Sequence, residues 1–422
     1  MWSKEVIREL SDRLVELQRP IRILDAIKWD DTVRAKFFAA GCCEQPEVNE
    51  DYYRERPLAF DPEAKQREFY ELERQIQGRL GQFNPIGRIM RRMCREYRTA
   101  VRMLVRRGTP EFSLISQELY GASGDVFHEG DPTIADLGEL LSEMLAGFDR
   151  SQLARDDERT IPCEEAVQLL QERLDTMFCD PNRRVRVIVS DGIVADAAAG
   201  SDYIKLRKDS MFNERDLGLL EVHEGWVHVA TTFNGAEQEV CTFLSKGPPS
   251  STITQEGLAL FMELLTFRSH RKRIHRLTNR IHAVKLAEQG ATFLDVFGYF
   301  REQGFPDTEA YELTTRVFRG SAPTMGPFTK DLTYSKGFVQ VYQFVQLAVR
   351  KGKVDTIPLL FAGKTTLEDI PILAQLRDEG MLTPPKYLPP PLADLNGLVA
   401  WMCYSNFLSQ LDQRRNEADW NL

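Results

Sequence analysis

The sequence predicts a predominantly helical α+β protein with a small β-sheet. Apolar residues recur at three- and four-residue spacing along most of the chain, as in Ile7, Leu10, Leu14 and Leu17. Alternating, β-branched runs are confined to residues 185–189 and 203–207. At 422 residues, 42% hydrophobic and 28% charged, the chain can bury one large core or two moderate ones and needs no disulfide or metal merely to fold.

Residues 1–40 and 63–107 read as amphipathic helices, joined by a charged connection over 41–62 that holds two cysteines and three prolines. Gly108-Thr109-Pro110 stops the long basic helix, 121–132 is a second loop, and helical periodicity resumes over 133–148. Pro162, followed by Glu164 and Glu165, opens a helix that runs to Phe178. After the two strands the pattern is helical from 213 to 312, with expected breaks at Asn234-Gly235, Gly247-Pro248-Pro249 and Gly304-Phe305-Pro306. Residues 338–349 form a nearly all-apolar helix, too short to span a bilayer and so expected in the core. A proline-rich stretch over 384–391 precedes a last helix over 395–411. The expected division is a helical extension and loop over 1–60, a main domain over 61–385 and a proline-rich segment with a helix over 386–422. Within the main domain, 61–180 is the helical part and 181–385 carries the chemistry.

Lys+Arg of 54 against Asp+Glu of 63 leaves a net charge of −9, which argues against nucleic acid as a partner. No apolar run reaches membrane-span length, so no membrane association is expected, and the start of the chain is charged from Lys4 onward, unlike a secretory leader. Seven irregularly spaced cysteines without a CxxC point to reduced thiols and a cytoplasmic protein.

Histidine is scarce, with six in the chain, yet His223-Glu224-Gly225-Trp226-Val227-His228 sets two imidazoles five apart with a carboxylate after the first. This HExxxH is close to the zincin arrangement, in which HExxH puts both imidazoles on one helical face. Five residues turn the second roughly 140° around the axis, so both reach one ion only if the helix takes an extra residue into a π-bulge. A zinc site needs a third protein ligand as well. Glu256 is a candidate, on a helix that Thr252 and Gln255 would open as a capping box; Glu263, seven residues on and on the same face, is its rival. His270 and His275 are also five apart, but in a cationic run, Arg271-Lys272-Arg273, that repels a metal; they read as a solvated helix face.

Together, His223-Glu224-x-x-x-His228, Thr232-Phe233-Asn234-Gly235 and Gln255-Glu256-Gly257-Leu258-Ala259 resemble the QEGLA-motif family, named in bacteria as flavohemoglobin expression-modulating proteins. The same domain occurs in microtubule-associated tyrosine carboxypeptidases, zinc enzymes that remove the C-terminal tyrosine of α-tubulin. The resemblance runs from about residue 60 to 385. It takes in Arg107-Gly108-Thr109, Leu119-Tyr120-Gly121, the block from Arg316 to Gly320, and Thr329-Lys330-Asp331 with Tyr334 and Gly337. It implies a zincin-like metallopeptidase with an active-site helix carrying HExxxH, one Zn2+ held by His223, His228 and Glu256, and Glu224 as the catalytic carboxylate. Trp226 departs from the smaller residue expected there. No haem or flavin site is expected.

On this reading a peptide or protein C-terminal tail is the substrate, and Glu224 is general base to a zinc-activated water. Tyr334 is the candidate oxyanion donor, a half-buried structural tyrosine being the alternative. Arg319 and Lys330 are candidates to clamp the substrate's terminal carboxylate, and the strand with Tyr203 and Lys205 to pair with an extended substrate. Arg88, Arg91, Arg92, Arg95, Arg98, Arg102 and Arg106 recur along one helix; they make either a paired, solvated face or a dock for an acidic polypeptide. The competing function is a non-catalytic, zinc-stabilised binding or regulatory protein, which would have no use for Glu224.

Overall fold

Helices carry most of the chain in the computed structural model, which describes residues 3–148, 158–180, 183–191, 193 and 196–411. The first helix, Lys4–Gln18, is capped by the Ser3 hydroxyl and buries Ile7, Leu10 and Leu14 in the main core. The long helix expected over 63–107 is two antiparallel helices, Pro62–Leu80 and Pro85–Val105. Gly81 adopts φ +85°, which ends the first, and Asn84 caps the second, with Pro85 in its first turn. Only the second has a fully developed apolar face, from Ile86 to Leu104.

Most of the arginine stripe on that helix is paired. Arg92 pairs with Asp369 and Glu96, Arg95 and Arg98 with Glu73, and Arg102 with Glu118, while the buried Arg91 donates to the Gln82 carbonyl. The paired-face alternative therefore describes Arg92, Arg95, Arg98 and Arg102, whose carboxylates come from Glu96 on the same helix and from neighbouring segments.

The sheet has three short strands in the order Arg186–Ser190, Tyr203–Arg207, Ala197–Ala199. Tyr203–Arg207 lies in the middle, parallel to the first and antiparallel to the third. Both of its edges are used, so Tyr203 and Lys205 cannot pair with a substrate backbone; that expectation is corrected, and the edge strands are Arg186–Ser190 and Ala197–Ala199. A second pair, Ile161–Pro162 with Met211–Phe212, frames the helix Cys163–Met177.

From Glu214 to Ala236 the chain is continuous helix, α over Glu214–Leu220, π over Glu221–Val229 and α again over Ala230–Ala236. The expected break at Asn234-Gly235 is the end of this helix, at Ala236. The Asn234 amide grips the tail, accepting from the Lys386 and Tyr387 N–H groups and donating to the Tyr387 carbonyl. The helix Ser251–Leu265 begins without the expected capping box; the Ser250 N–H and hydroxyl instead bond Glu96, and Gln255 turns inward. This helix crosses Thr333–Arg350 at Gly257 and Gly337, which lets the two backbones meet. A second core, around Phe37, Phe293, Phe297 and Tyr311, holds the helices of 271–318 against the N-terminal region. No described helix is long and apolar enough to cross a membrane, and the seven cysteines are all unpaired.

Candidate metal centre

The π-helix over Glu221–Val229 is the distortion that the five-residue histidine spacing demands. Widening the turn brings His223 Nε2 and His228 Nε2 to 3.2 Å, with the rings at 81° to each other. Glu256, one turn into Ser251–Leu265, closes a triangle: its Oε2 lies 3.5 Å from each of those nitrogens. In a tetrahedral site with bonds of about 2.0–2.1 Å, ligand atoms stand about 3.3–3.4 Å apart, so the residues fit a zinc-sized ion. Glu256 Oε2 is buried and accepts no hydrogen bond, whereas its Oε1 accepts from Lys330 Nζ at 2.8 Å. A buried, orphaned carboxylate oxygen aimed between two imidazole nitrogens asks for a cation. Burial raises the Glu256 pKa, but Lys330 and the two imidazoles outweigh it and hold the carboxyl well below its usual range.

Glu263 lies on the other side of the first imidazole. His223 Nδ1 is 2.6 Å from Glu263 Oε1, and Arg273 donates to both Glu263 oxygens. The arrangement resembles a carboxylate orienting a metal-binding histidine through its far nitrogen, which fixes the tautomer. Burial alone would lower the His223 pKa, but Glu256 and Glu263 raise it to about 10, so metal uptake competes with that proton. Removing Glu263 is accordingly not neutral for the metal. Glu263→Ala should weaken metal binding roughly 10- to 100-fold, whereas His223→Ala, His228→Ala or Glu256→Ala should abolish stoichiometric binding. Metal analysis against a graded chelator checks this; full occupancy in Glu256→Ala would overturn the ligand set.

Glu224 follows His223 on the same helix; its Oε2 accepts the Ala199 N–H of the edge strand at 3.0 Å, and its charge is among those that raise the His223 pKa. The Tyr334 ring stacks on His223 at 6.2 Å between centroids, so Tyr334 adjoins the centre. Arg273, Arg280 and Lys330 approach the same ring, at 5.6–5.7 Å from its centroid. Arg316 takes Asp331 in a bidentate pair, leaving Arg280 Nε 3.8 Å from that acid and Arg319 packed over Phe328. Arg280 and Arg319 are buried, the Nε of each lacks an acceptor, and burial with the nearby Arg316 lowers their pKa values to about 9 and about 10.

Lys330 gives one of its three ammonium protons to Glu256, and Arg319 keeps free donor capacity. Sequence reasoning missed Arg273 and Arg280. They sit seven apart on one face of Arg271–Glu288, Arg273 in the cationic run read as solvated and Arg280 beyond it; Arg273 is in fact packed against Glu263, and His270 caps the helix by accepting from the Arg273 N–H. The spacing of the two arginines was the available signal.

A mostly helical α+β body with a buried His-His-Glu group able to hold a metal ion defines the class of molecule. Residues 35–410 match the microtubule-associated tyrosine carboxypeptidase family, and the chain belongs to that family. Membership brings with it peptidase activity of the carboxypeptidase type. The match extends beyond 60–385 at both ends, into the N-terminal helices and the docked tail. No curated protein matches the chain.

Proposed function

We propose that the chain is a zinc-dependent, zincin-like metallocarboxypeptidase that removes a C-terminal residue from a peptide or protein tail. The observation that carries this reading is the orphaned Glu256 Oε2, 3.5 Å from two imidazole nitrogens that are themselves 3.2 Å apart. His223, His228 and Glu256 would hold the zinc, which when bound would supply a Lewis acid and lower the pKa of a water towards neutrality. Glu224 accepts that water's proton and returns it to the leaving amine, and the Ala199 N–H keeps its carboxylate in one orientation. The Gly200 N–H and Arg207 N–H bonds tie alternate residues of the edge strand to its neighbour, so the Ala197 and Ala199 carbonyls face outward, ready to align an extended substrate. Tyr334 would donate a hydrogen bond from its phenol O–H to the oxyanion. Seven unpaired cysteines fit a reducing, cytoplasmic setting.

A carboxypeptidase must also recognise a free carboxylate. Arg280 and Arg319 suit that role because the surrounding buried cations outnumber Glu256, Glu263 and Asp331, and these two guanidinium groups keep unused donors. Substituting Arg319 orphans no acid, and Asp331 keeps Arg316 when Arg280 is changed, so both variants should fold. Losing one charge-assisted contact costs about 1.5–3 kcal/mol, or roughly 10- to 150-fold in kcat/KM. The test compares matched peptides with free and amidated C-termini, read by mass spectrometry, for the parent, Arg280→Met and Arg319→Met. The expected result is loss of one C-terminal residue from free ends alone, with both variants slowed on them. Equal cleavage of amidated peptides would overturn the carboxypeptidase assignment, and a zinc-loaded parent inert on every peptide would favour the binding-protein alternative.

A further inference from the structure

Lys364 is a half-buried lysine that the mechanism above does not use. Its loop is drawn in by the Lys364 N–H, which donates to the Leu244 carbonyl at 2.7 Å. Gly363 makes that approach possible: it adopts φ +155°, and a Cβ there would stand 2.5 Å from the same carbonyl oxygen. Gly247 clears the way for the side chain, since a Cβ on it would lie 2.8 Å from Lys364 Cβ. At the end of this path the ammonium donates to the His228 carbonyl at 2.9 Å, to Thr231 Oγ1 at 2.9 Å and to Gln255 Oε1 at 3.0 Å. Its three protons meet three neutral oxygens, and no carboxylate is among these partners.

Those acceptors belong to two elements. His228 and Thr231 lie where the π-helix returns to α geometry, and Gln255 immediately precedes Glu256 on the neighbouring helix. All three candidate ligands come from these same two elements, so their mutual position depends on what joins the two. Two other polar links join these elements: the Thr231 hydroxyl, 2.8 Å from Gln255 Oε1 at the His228 end, and His223 Nδ1, 2.6 Å from Glu263 Oε1 on the far side of the site. We propose that Lys364 is a positioning residue for the metal centre, an ammonium staple that holds the turn carrying His228 against the helix carrying Glu256. Burying an ammonium without a carboxylate costs folding free energy. That cost is offset if the ammonium holds ligands in place, as outer partners of metal ligands do.

This inference rests on the metal-centre reading, and it separates positioning from plain structural support by sign. Lys364→Met keeps the length of the side chain and removes the charge without orphaning an acid. The metal-free protein should therefore melt no lower than the parent, while Zn2+ affinity falls roughly 10- to 100-fold. The experiment measures chelator competition for Zn2+ on the purified full chain, together with the thermal midpoint after metal removal. Unchanged affinity in Lys364→Met, or a lowered metal-free midpoint that accounts for the weaker binding, overturns the staple. If Lys364→Met does not fold, Gln255→Met, which removes one acceptor and keeps the lysine, carries the test: weaker zinc binding at an unchanged metal-free midpoint supports the staple, and parental affinity overturns it. A parent that takes up no zinc overturns the metal-centre reading and the staple together; a zinc-binding parent matched by its variant overturns the staple alone.

Discussion

Glu224→Gln should keep the metal, the fold and substrate affinity while losing at least about 100-fold in kcat, and up to about 10,000-fold. The side-chain oxygen that accepts the Ala199 N–H at 3.0 Å is retained in the amide, so the edge strand and the π-helix need not move. What disappears is a basic site for the water's proton. The loss should fall on kcat with KM nearly unchanged, because an interaction confined to the transition state has been removed. Steady-state kinetics on the best peptide substrate, with zinc content and thermal midpoint measured on the same preparation, provide the check. A Glu224→Gln protein as active as the parent would sink the general-base role.

Gly257→Ala and Gly337→Ala should each destabilise the protein by about 3 kcal/mol or more and disturb metal binding. A Cβ at 257 would fall 2.1 Å from the Gly337 carbonyl carbon, and one at 337 would fall 2.0 Å from the Ile253 carbonyl oxygen. Both obstacles are backbone, so no rotamer change relieves the clash and the two helices must separate. Glu256 is next to Gly257, and Tyr334 lies one turn before Gly337, so separation pulls a ligand and its neighbouring tyrosine off the histidine pair. Gly298 in Phe293–Glu302 is the control: nothing lies within 4 Å of its Cβ position, and Ala there should stabilise by roughly 0.5–1 kcal/mol. Thermal midpoints with metal analysis of the three variants decide the matter, and tolerance of Ala at 257 and 337 would exclude the close crossing.

The distorted helix was legible before any coordinates, because two imidazoles five apart cannot reach one ion from a regular turn and HExxxH therefore implies its own departure from α geometry. The choice between Glu256 and Glu263 was not legible. Seven residues return a side chain to nearly the same face, and only the packing of Ser251–Leu265 against the π-helix sets one carboxylate at the Nε2 side of His223 and the other at Nδ1. Strand 203–207 announced itself by alternation, yet its central position depended on Ala197–Ala199, three small residues with no pattern to read. The arginine stripe was visible as a periodicity, but Glu73, Glu118 and Asp369, which occupy it, come from distant parts of the chain.

Periodicity, turn residues and ligand spacing act within a few residues, so the sequence by itself determined that the protein is mostly helical, that its sheet is small and that residues 223–228 carry a paired-histidine motif. Which carboxylate meets those histidines, which cations are already neutralised, which strand has an open edge and which lysine joins the two ligand-bearing elements were decided by the tertiary structure alone. Each is a contact between different elements, and its partner is selected by how those elements pack. Nothing in the local backbone preference of either segment encodes that choice.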